Sequence, residues 1–343
     1  MKATIYDVAK AAGVSIATVS KVINHTGKIS EATRVKVLET MKELNYHPSV
    51  VASALTGKRT ETLGLLVPDI SNPFFSEMAR TIEDRAHDRG MSVIMCSTDD
   101  QAEKEKKYIE LLQRKQVDGL IIASGFRDKS LLDELKRNKV PLAMLSFDDP
   151  SLDVTTVSVD DYKGGYEAAS HLISLGHRNI AIIGEDVHSS RMRIFGYRDA
   201  FEAFGVTCLE ENTLRTTASL ENGAKCVKEL LQREHPPTAI FACNDLIAIG
   251  AIQGARELGI KVPSDLSIVG FDNTILATTT VPALTTISQP IEEMGRKIVD
   301  VLIEEIHKRV VIRERVLFKP SLIVRGTTTA FKEEINEGGQ ARA

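Results

Sequence analysis

From residue 63 to about residue 289 the chain alternates short, continuous apolar runs with amphipathic helical stretches, and this alternation constrains the fold more than any other feature. The runs are LGLLV (63–67), SVIMCS (92–97), GLIIAS (119–124) and LAMLSF (142–147), then NIAIIG (179–184), AIFACN (239–244) and LSIVGF (266–271). A run that stays apolar without alternating is a strand covered on both faces, the condition of a parallel sheet whose crossovers are helices. PFFSEMARTIEDRAHDRG, DYKGGYEAASHLISLG, LENGAKCVKELLQ and DLIAIGAIQGARELG supply such crossovers. The pattern predicts two Rossmann-like lobes. Helix PIEEMGRKIVDVLIEEIHK (290–308) and strand VVIRERVLF (310–318) should return to the first lobe, and LIVRGTT should finish against the second. The first lobe is then 61–160 plus 290–318 and the second 161–289 plus 319–330, joined by three crossovers.

Ahead of this core, residues 4–24, TIYDVAKAAGVSIATVSKVIN, read as an all-α helix-turn-helix. Thr4 is an N-cap with Asp7 three residues on, and Ile5, Val8, Ala9 and Ala12 recur at helical spacing until Gly13 stops the helix. Ser15 caps a second helix that carries Val19, Val22 and Ile23 inward. Two short helices around a glycine turn place the second in a DNA major groove. A third helix, EATRVKVLETMKELN after Ser30, should close the small core with Val35, Leu38, Met41 and Leu44. Ile16, Ala17 and Lys21 point away from that core, while Thr4, Tyr6, Ser15, Thr18, Ser20, Asn24 and Thr33 are placed for phosphate or sugar contacts. Thr18 and Ser20 serve equally well as plain helix-surface residues.

Charge follows the same division. The chain is formally −4, yet residues 1–60 carry a local +5, which leaves about −9 on the remainder. A basic headpiece on an acidic body is expected if only the headpiece approaches phosphates. At 43% hydrophobic content the core is ample, and no run of about 18 apolar residues suggests a membrane span. MKATIYDVAK lacks the apolar stretch of a secretory signal, so a cytoplasmic location is expected. Cys96, Cys208, Cys226 and Cys243 form no CxxC pair, and Cys96 and Cys243 read as buried thiols. No GxGxxG, GxxxxGK[ST], HExxH or GxSxG occurs, and the eight histidines show no metal-ligand spacing. The chain is not expected to be an enzyme, nor to need a cofactor or metal.

YDVAKAAGVSIATVSKVIN closely resembles the headpiece of the LacI/GalR family of bacterial transcription regulators, and the resemblance extends over residues 4 to about 329. It implies a periplasmic-binding-protein-like core behind a headpiece of residues 1–47 and a hinge of 48–60, with 331–343 a polar, disordered tail. Base readout falls to Ile16, Ala17 and Lys21, where Lys21 replaces the arginine that most members carry. In YHPSVVASALTGKRT (46–60) the resemblance implies a hinge helix that folds on cognate DNA, with Ala52 at the close contact between hinges. Leu55 matches the wedge that opens the central base step.

Ligands of open α/β sheets bind beyond the carboxyl ends of the strands. There the chain offers Asp69 and Ser71, Ser97 and Asp99, Ser124, Asp148, Asn244 with Asp245, and Asp272 with Asn273, flanked by Phe74 and Phe75. Each has a plain structural alternative as cap, turn former or core. The resemblance selects Arg193, Asn244 and Asp272 as effector contacts, although Arg193 with Asp272 also suits an interlobe ion pair; His177 reads as structural. The expectation is a dimeric regulator, in such families most often a repressor. It binds a pseudo-palindromic double-stranded DNA operator under control of a sugar-like effector. The alternatives are a phosphorylated carrier protein docking on helix 290–308 through Arg296, Lys297 and Lys308, or a DNA binder without a small-molecule effector.

Overall fold

The computed structural model describes residues 3–23, 26–46, 59–123, 125–149, 151–308 and 313–332. It comprises a small helical unit up to Glu61, with which Gln113–Val117 group, and a larger α/β unit from Thr62 onward.

In the helical unit α1 (Ile5–Ala12), α2 (Ile16–Ile23) and α3 (Glu31–Glu43) enclose Val8, Ala9, Ala12, Val19, Val22 and Val37. Thr4 and Asp7 form a reciprocal capping box: the Thr4 N–H donates to Asp7 Oδ2 at 2.8 Å while the Asp7 N–H donates to Thr4 Oγ1 at 3.4 Å. Gly13 ends α1 at φ 64°, where its missing Cβ avoids the left-handed penalty. Ser15 Oγ then accepts from the Thr18 N–H at 3.1 Å, so the turn passes directly into α2.

One expectation for α3 is corrected. Val35 and Leu38 do not face inward but are 44% and 45% exposed, whereas Val37 is fully buried. Met41 and Leu44 do pack against the core, and with Val37 they form an i, i+4, i+7 row. Val35 and Leu38 lie on a different row, and the sequence offers two competing apolar stripes. Contact with α1 and α2 selects the one carrying Val37.

The α/β unit begins with β1 (Thr62–Val67), α4 (Pro73–Asp88), β2 (Ser92–Ser97), α5 (Ala102–Arg114), β3 (Gly119–Ala123), α6 (Lys129–Arg137), β4 (Leu142–Leu145) and β5 (Thr155–Val159). The second lobe contains α7 (Asp161–Ser174), β6 (Ile180–Gly184), α8 (His188–Ala203), β7 (Thr213–Arg215), α9 (Leu220–Leu231), β8 (Ala239–Ala242), α10 (Asp245–Glu257), β9 (Ser267–Asp272), α11 (Ile275–Thr279) and β10 (Thr285–Ser288). The chain closes with α12 (Ile291–Lys308), β11 (Arg315–Phe318) and β12 (Ser321–Ile323).

Two six-stranded sheets result, ordered β11-β5-β4-β3-β1-β2 and β12-β10-β9-β8-β6-β7. Every pairing is parallel except that of β12 with β10, where Thr286 faces Ile323. Three strands ahead of α12 lie outside the apolar runs. β5 (TTVSV) and β10 (TTIS) are rich in threonine, yet Thr155, Thr156, Thr285 and Thr286 are buried. The Thr286 hydroxyl donates to Asp245 Oδ1 at 2.7 Å and the Thr285 N–H to Thr327 Oγ1 at 2.9 Å. These partners offset the cost of burying the polar groups of β10. The third, β7, has only three residues at a sheet edge.

Helices α7 and α8 cross at very close range. A Cβ on Gly165 would stand 2.0 Å from the Arg193 carbonyl oxygen, and one on Gly196 would stand 1.9 Å from that of Tyr162. Only glycine permits this approach, and it brings the start of α7 against the first turns of α8.

Candidate functional site

The carboxyl ends of β1, β3 and β4 in one lobe, and of β6, β8 and β9 in the other, open onto a shared cleft of about 360 Å³. The first lobe lines it with Phe74, Phe75, Phe126 and Phe147. Asn72 sets the two leading rings by capping α4, its Oδ1 accepting from the Phe74 N–H at 3.1 Å. Phe74 and Phe75 then meet edge to face, 5.1 Å apart. A second cavity of about 770 Å³ adjoins through Glu185 and Arg127, and Asp69 and Asp99 line that one.

The second lobe supplies the polar floor, centred on Arg193 in α8. Its Nε donates to Asp161 Oδ1 at 2.8 Å, Nη2 reaches the same oxygen at 2.7 Å, and Nη1 donates to the Cys243 carbonyl. The guanidinium also lies 3.5 Å from the centroid of Phe271. Asp272 is more distant, at 4.0 Å from Nη1, and accepts from Gln289 Nε2 at 2.7 Å. The alternative of an Arg193–Asp272 interlobe pair therefore does not hold. Arg193 sits on α8 and Asp272 ends β9, both in the second lobe, and Asp161 at the head of α7 is the principal partner because the glycine crossing delivers it there.

Asn244 caps α10, its Oδ1 accepting from the Ile247 N–H at 2.8 Å, while its Nδ2 donates to Glu185 Oε2 at 2.9 Å. Burial pushes the carboxyls of Glu185, Asp161 and Asp272 above the usual carboxylate range, with Arg193 opposing in each case. Beneath them burial drives the Cys243 thiol up to about 12, leaving an inert sulfur.

Asp148 is a second correction. Arg315 on β11 grips both of its carboxylate oxygens at 2.5 Å, and the cleft is lined by Asp149 instead. Asp149 follows directly and accepts from the Ser151 N–H at 2.9 Å, so one residue of offset decides which carboxylate faces the ligand space. Asp245 serves the core, accepting from Thr274 and Thr286, and Asn273 accepts from Arg325 Nη2 at 2.6 Å. Ser124 lies outside the described residues.

Sequence reasoning did not single out Glu185, Asp161, Ser146 or His188. Glu185 and Ser146 directly follow β6 and β4, so the rule that found Asn244 would also have found them. Ser146 Oγ is buried at the cleft with no partner among the described residues. His188 spans the lobes, with Nε2 2.9 Å from the Asp148 carbonyl and its ring 4.9 Å from that of Phe147. His177 is buried against Thr238, Ser267 and the Thr329 carbonyl, as a structural histidine should be.

In the helical unit Ile16 is 41% exposed and Tyr6 68%, with Ala17 and Lys21 also exposed. Thr18 and Thr33 are half-buried, and their hydroxyls pair with Ser15 at 2.9 Å and Ser30 at 2.8 Å. Thr4 is exposed at its capping box, and Ser20 is half-buried. Asn24, Ala52 and Leu55 lie outside the described residues. On α12, Arg296 pairs with Glu292 at 2.7 Å and Lys297 with Glu314 at 2.8 Å.

A helix-turn-helix unit followed by two parallel-sheet lobes around a polar, aromatic-walled cleft defines a DNA-binding transcription regulator with a periplasmic-binding-protein-like core. Residues 4–49 match the lacI family of bacterial regulatory proteins, and residues 169–328 match a periplasmic binding protein-like domain. The HTH-type transcriptional regulator DegA of Bacillus subtilis (strain 168) is 50% identical over 334 residues, 96% of this chain and 99% of that protein. Among solved structures, the lac repressor dimer bound to operator and the anti-inducer ONPF superposes with a TM-score of 0.85 at 30% identity, covering 96% of this chain and 100% of that one. The transcriptional regulator CelR in complex with cellobiose gives 0.73 at 30% identity, covering 95% and 99%. The chain belongs to the LacI family of bacterial transcription regulators. These relatives are named as regulators, not enzymes. Among the described residues no helix is long and apolar enough to cross a membrane.

Proposed function

We propose that the protein is a repressor that binds a pseudo-palindromic operator as a homodimer and releases or engages it in response to a sugar-like ligand in the interlobe cleft. The observation that carries the effector reading is a buried hydroxyl left open in the cleft among polar groups of both lobes. Ser146 Oγ is buried there without a partner among the described residues, and Asp149, Asp272 and Arg193 converge from both lobes beside flat phenyl rings. Such a mixture of ring faces and directed polar groups suits a polyol. The sugar-bound state of CelR supports the same reading.

On DNA, Ile16 and Ala17 supply apolar contacts to base edges and Lys21 donates to a guanine, while Thr4, Tyr6, Ser15, Thr18, Ser20, Asn24 and Thr33 contact the backbone. Ala52 and Leu55 act at the hinge, Leu55 as the wedge. The domain plan is a headpiece of 1–47, a hinge of 48–60, and lobes of 61–160 plus 290–318 and 161–289 plus 319–330. Edge strand β2 exposes 45% of Met95, the preceding loop of the sheet exposes 40% of Ile70, and Val281 in the second lobe is 96% exposed. The operator-bound dimer of the lac repressor supports the homodimer reading. Ligand and operator affinities are then coupled reciprocally, by about 1–3 kcal/mol for a working switch. Because Arg296 and Lys297 are already paired on α12, a docking carrier protein is not favoured.

Selection of the full-length protein against a random duplex library at near-physiological salt, with and without pooled sugars, tests this. An enriched palindrome with sugar-sensitive recovery is expected. A site insensitive to every sugar would remove the effector reading, and no enriched site would remove the operator reading.

A further inference from the structure

The floor of the cleft holds more carboxylate than cation. Asp161, Glu185 and Asp272 surround Arg193, whose Nε and Nη2 are taken by Asp161 and whose Nη1 is taken by the Cys243 carbonyl. Asp272 is left with Gln289 and a cation 4.0 Å away. Among the described residues the Glu185 carboxylate accepts from neutral donors, Asn244 Nδ2 at 2.9 Å and the Ala218 N–H at 3.3 Å, while Arg193 acts on it without a direct pair. None of the ion pairs among the described residues reaches it.

The cations at the rim do not correct the deficit below. Arg127 pairs with Asp100 at 3.1 Å, Arg191 pairs with Asp186 at 3.1 Å, and Lys129 stands exposed near Asp149. Above the floor the phenyl rings of Phe74, Phe75, Phe126 and Phe147 border the same space. Phenyl faces carry negative partial charge and attract cations, and a buried carboxylate without a cation is costly until one arrives. Burial raises the Glu185 and Asp272 carboxyls, and the neighbouring Asp245 and Glu185 charges push Asp272 further in the same direction. An anionic ligand would add to the excess charge, and a neutral polyol would leave it uncompensated.

We infer that the cleft is built for a cationic ligand, an amine carried on a sugar-sized polyhydroxyl frame, and that Glu185 is the residue that selects the ammonium group. This rests on the reading of the cleft as an effector site. The Glu185 carboxylate accepts from the ammonium, Asp272 and Ser146 engage hydroxyls, and the rings flank the frame. Glu185 thereby separates this chain's ligand from neutral sugars of the same size.

Calorimetric titration of the full-length protein with glucosamine, glucose, N-acetylglucosamine and glucose 6-phosphate, at a pH that keeps the amine protonated, tests the inference. Glucosamine should bind at least about tenfold more tightly than glucose, with the N-acetyl and phosphate forms no better than glucose. Glu185→Gln should lower the ratio of glucosamine to glucose affinity by about tenfold. A circular dichroism spectrum matching the parent's, with a single cooperative melting transition, establishes that the variant is folded. Charge reversal by Glu185→Lys should turn the preference toward glucose 6-phosphate. Neutral sugars binding as tightly as the amine, or an amine advantage that survives Glu185→Gln, would overturn the inference and leave the sugar-effector reading intact. Binding by none of the four would also overturn it; the effector reading then stands or falls separately on sugar-sensitive operator recovery.

Discussion

Replacing Arg193 with Met tests the electrostatic floor most directly. The guanidinium is 6% exposed, makes two charge-assisted contacts to Asp161 at 2.7 and 2.8 Å, and lies 3.5 Å from the centroid of Phe271. Methionine approximates its volume, so a cavity contributes little, but Asp161 is left buried without a cation. Breaking a buried pair in this way costs about 3–5 kcal/mol. For a domain of this size each kcal/mol moves the midpoint by roughly 2–4 °C, so a fall on the order of 10 °C is expected in the thermal transition of the α/β unit. Asp161→Asn alone strands the opposite charge and should also destabilise. The double variant, Arg193→Met with Asp161→Asn, removes both charges and should be more stable than either single variant, giving a coupling energy of about 2 kcal/mol or more in a double-mutant cycle. Scanning calorimetry of the four proteins measures this. If Arg193→Met melts within about 1 kcal/mol of the parent, or the double variant falls by the sum of the singles, the pair is not what organises the floor.

The remaining expectations concern pH, DNA and capping. Because burial raises the folded-state Glu185 carboxyl, its contribution to stability is most favourable below the ordinary glutamate range and is lost as pH rises through the raised value. Glu185→Gln should therefore be more stable than the parent near neutral pH, with the difference vanishing in acid, as urea unfolding across a pH series would reveal; a constant difference contradicts the assignment. Lys21→Ala should relax preference at one half-site position by roughly 1–3 kcal/mol, checked by repeating operator selection, and an unchanged preference removes Lys21 from readout. Leu55→Ala should weaken operator binding while sparing non-specific duplex, and equal loss on both defeats the wedge. Thr4→Ala opens the capping box and should cost about 1 kcal/mol in headpiece unfolding; no change would mean the cap is redundant.

The sequence alone determined the parts governed by local chemistry. The Thr4–Asp7 box, the Gly13 stop and the Ser15 cap are interactions over a few residues, so the helix-turn-helix was legible without tertiary information. Long apolar runs such as NIAIIG and AIFACN likewise announced the buried parallel strands, and the rule for open sheets located the cleft at their ends. Tertiary structure decided whatever depends on which neighbour arrives. Threonine strand β10 is interior rather than peripheral, with Thr327 and Asp245 from distant segments satisfying its polar groups. Val37 rather than Val35 faces the headpiece core because α1 and α2 choose between two stripes of similar composition. Asp148 turns to Arg315 and leaves the cleft to Asp149, a matter of one residue's offset that composition does not encode. The pairing of Arg193 with Asp161 across 32 residues depends on two helices approaching at glycines, and the buried charge it creates exists only once the chain has folded.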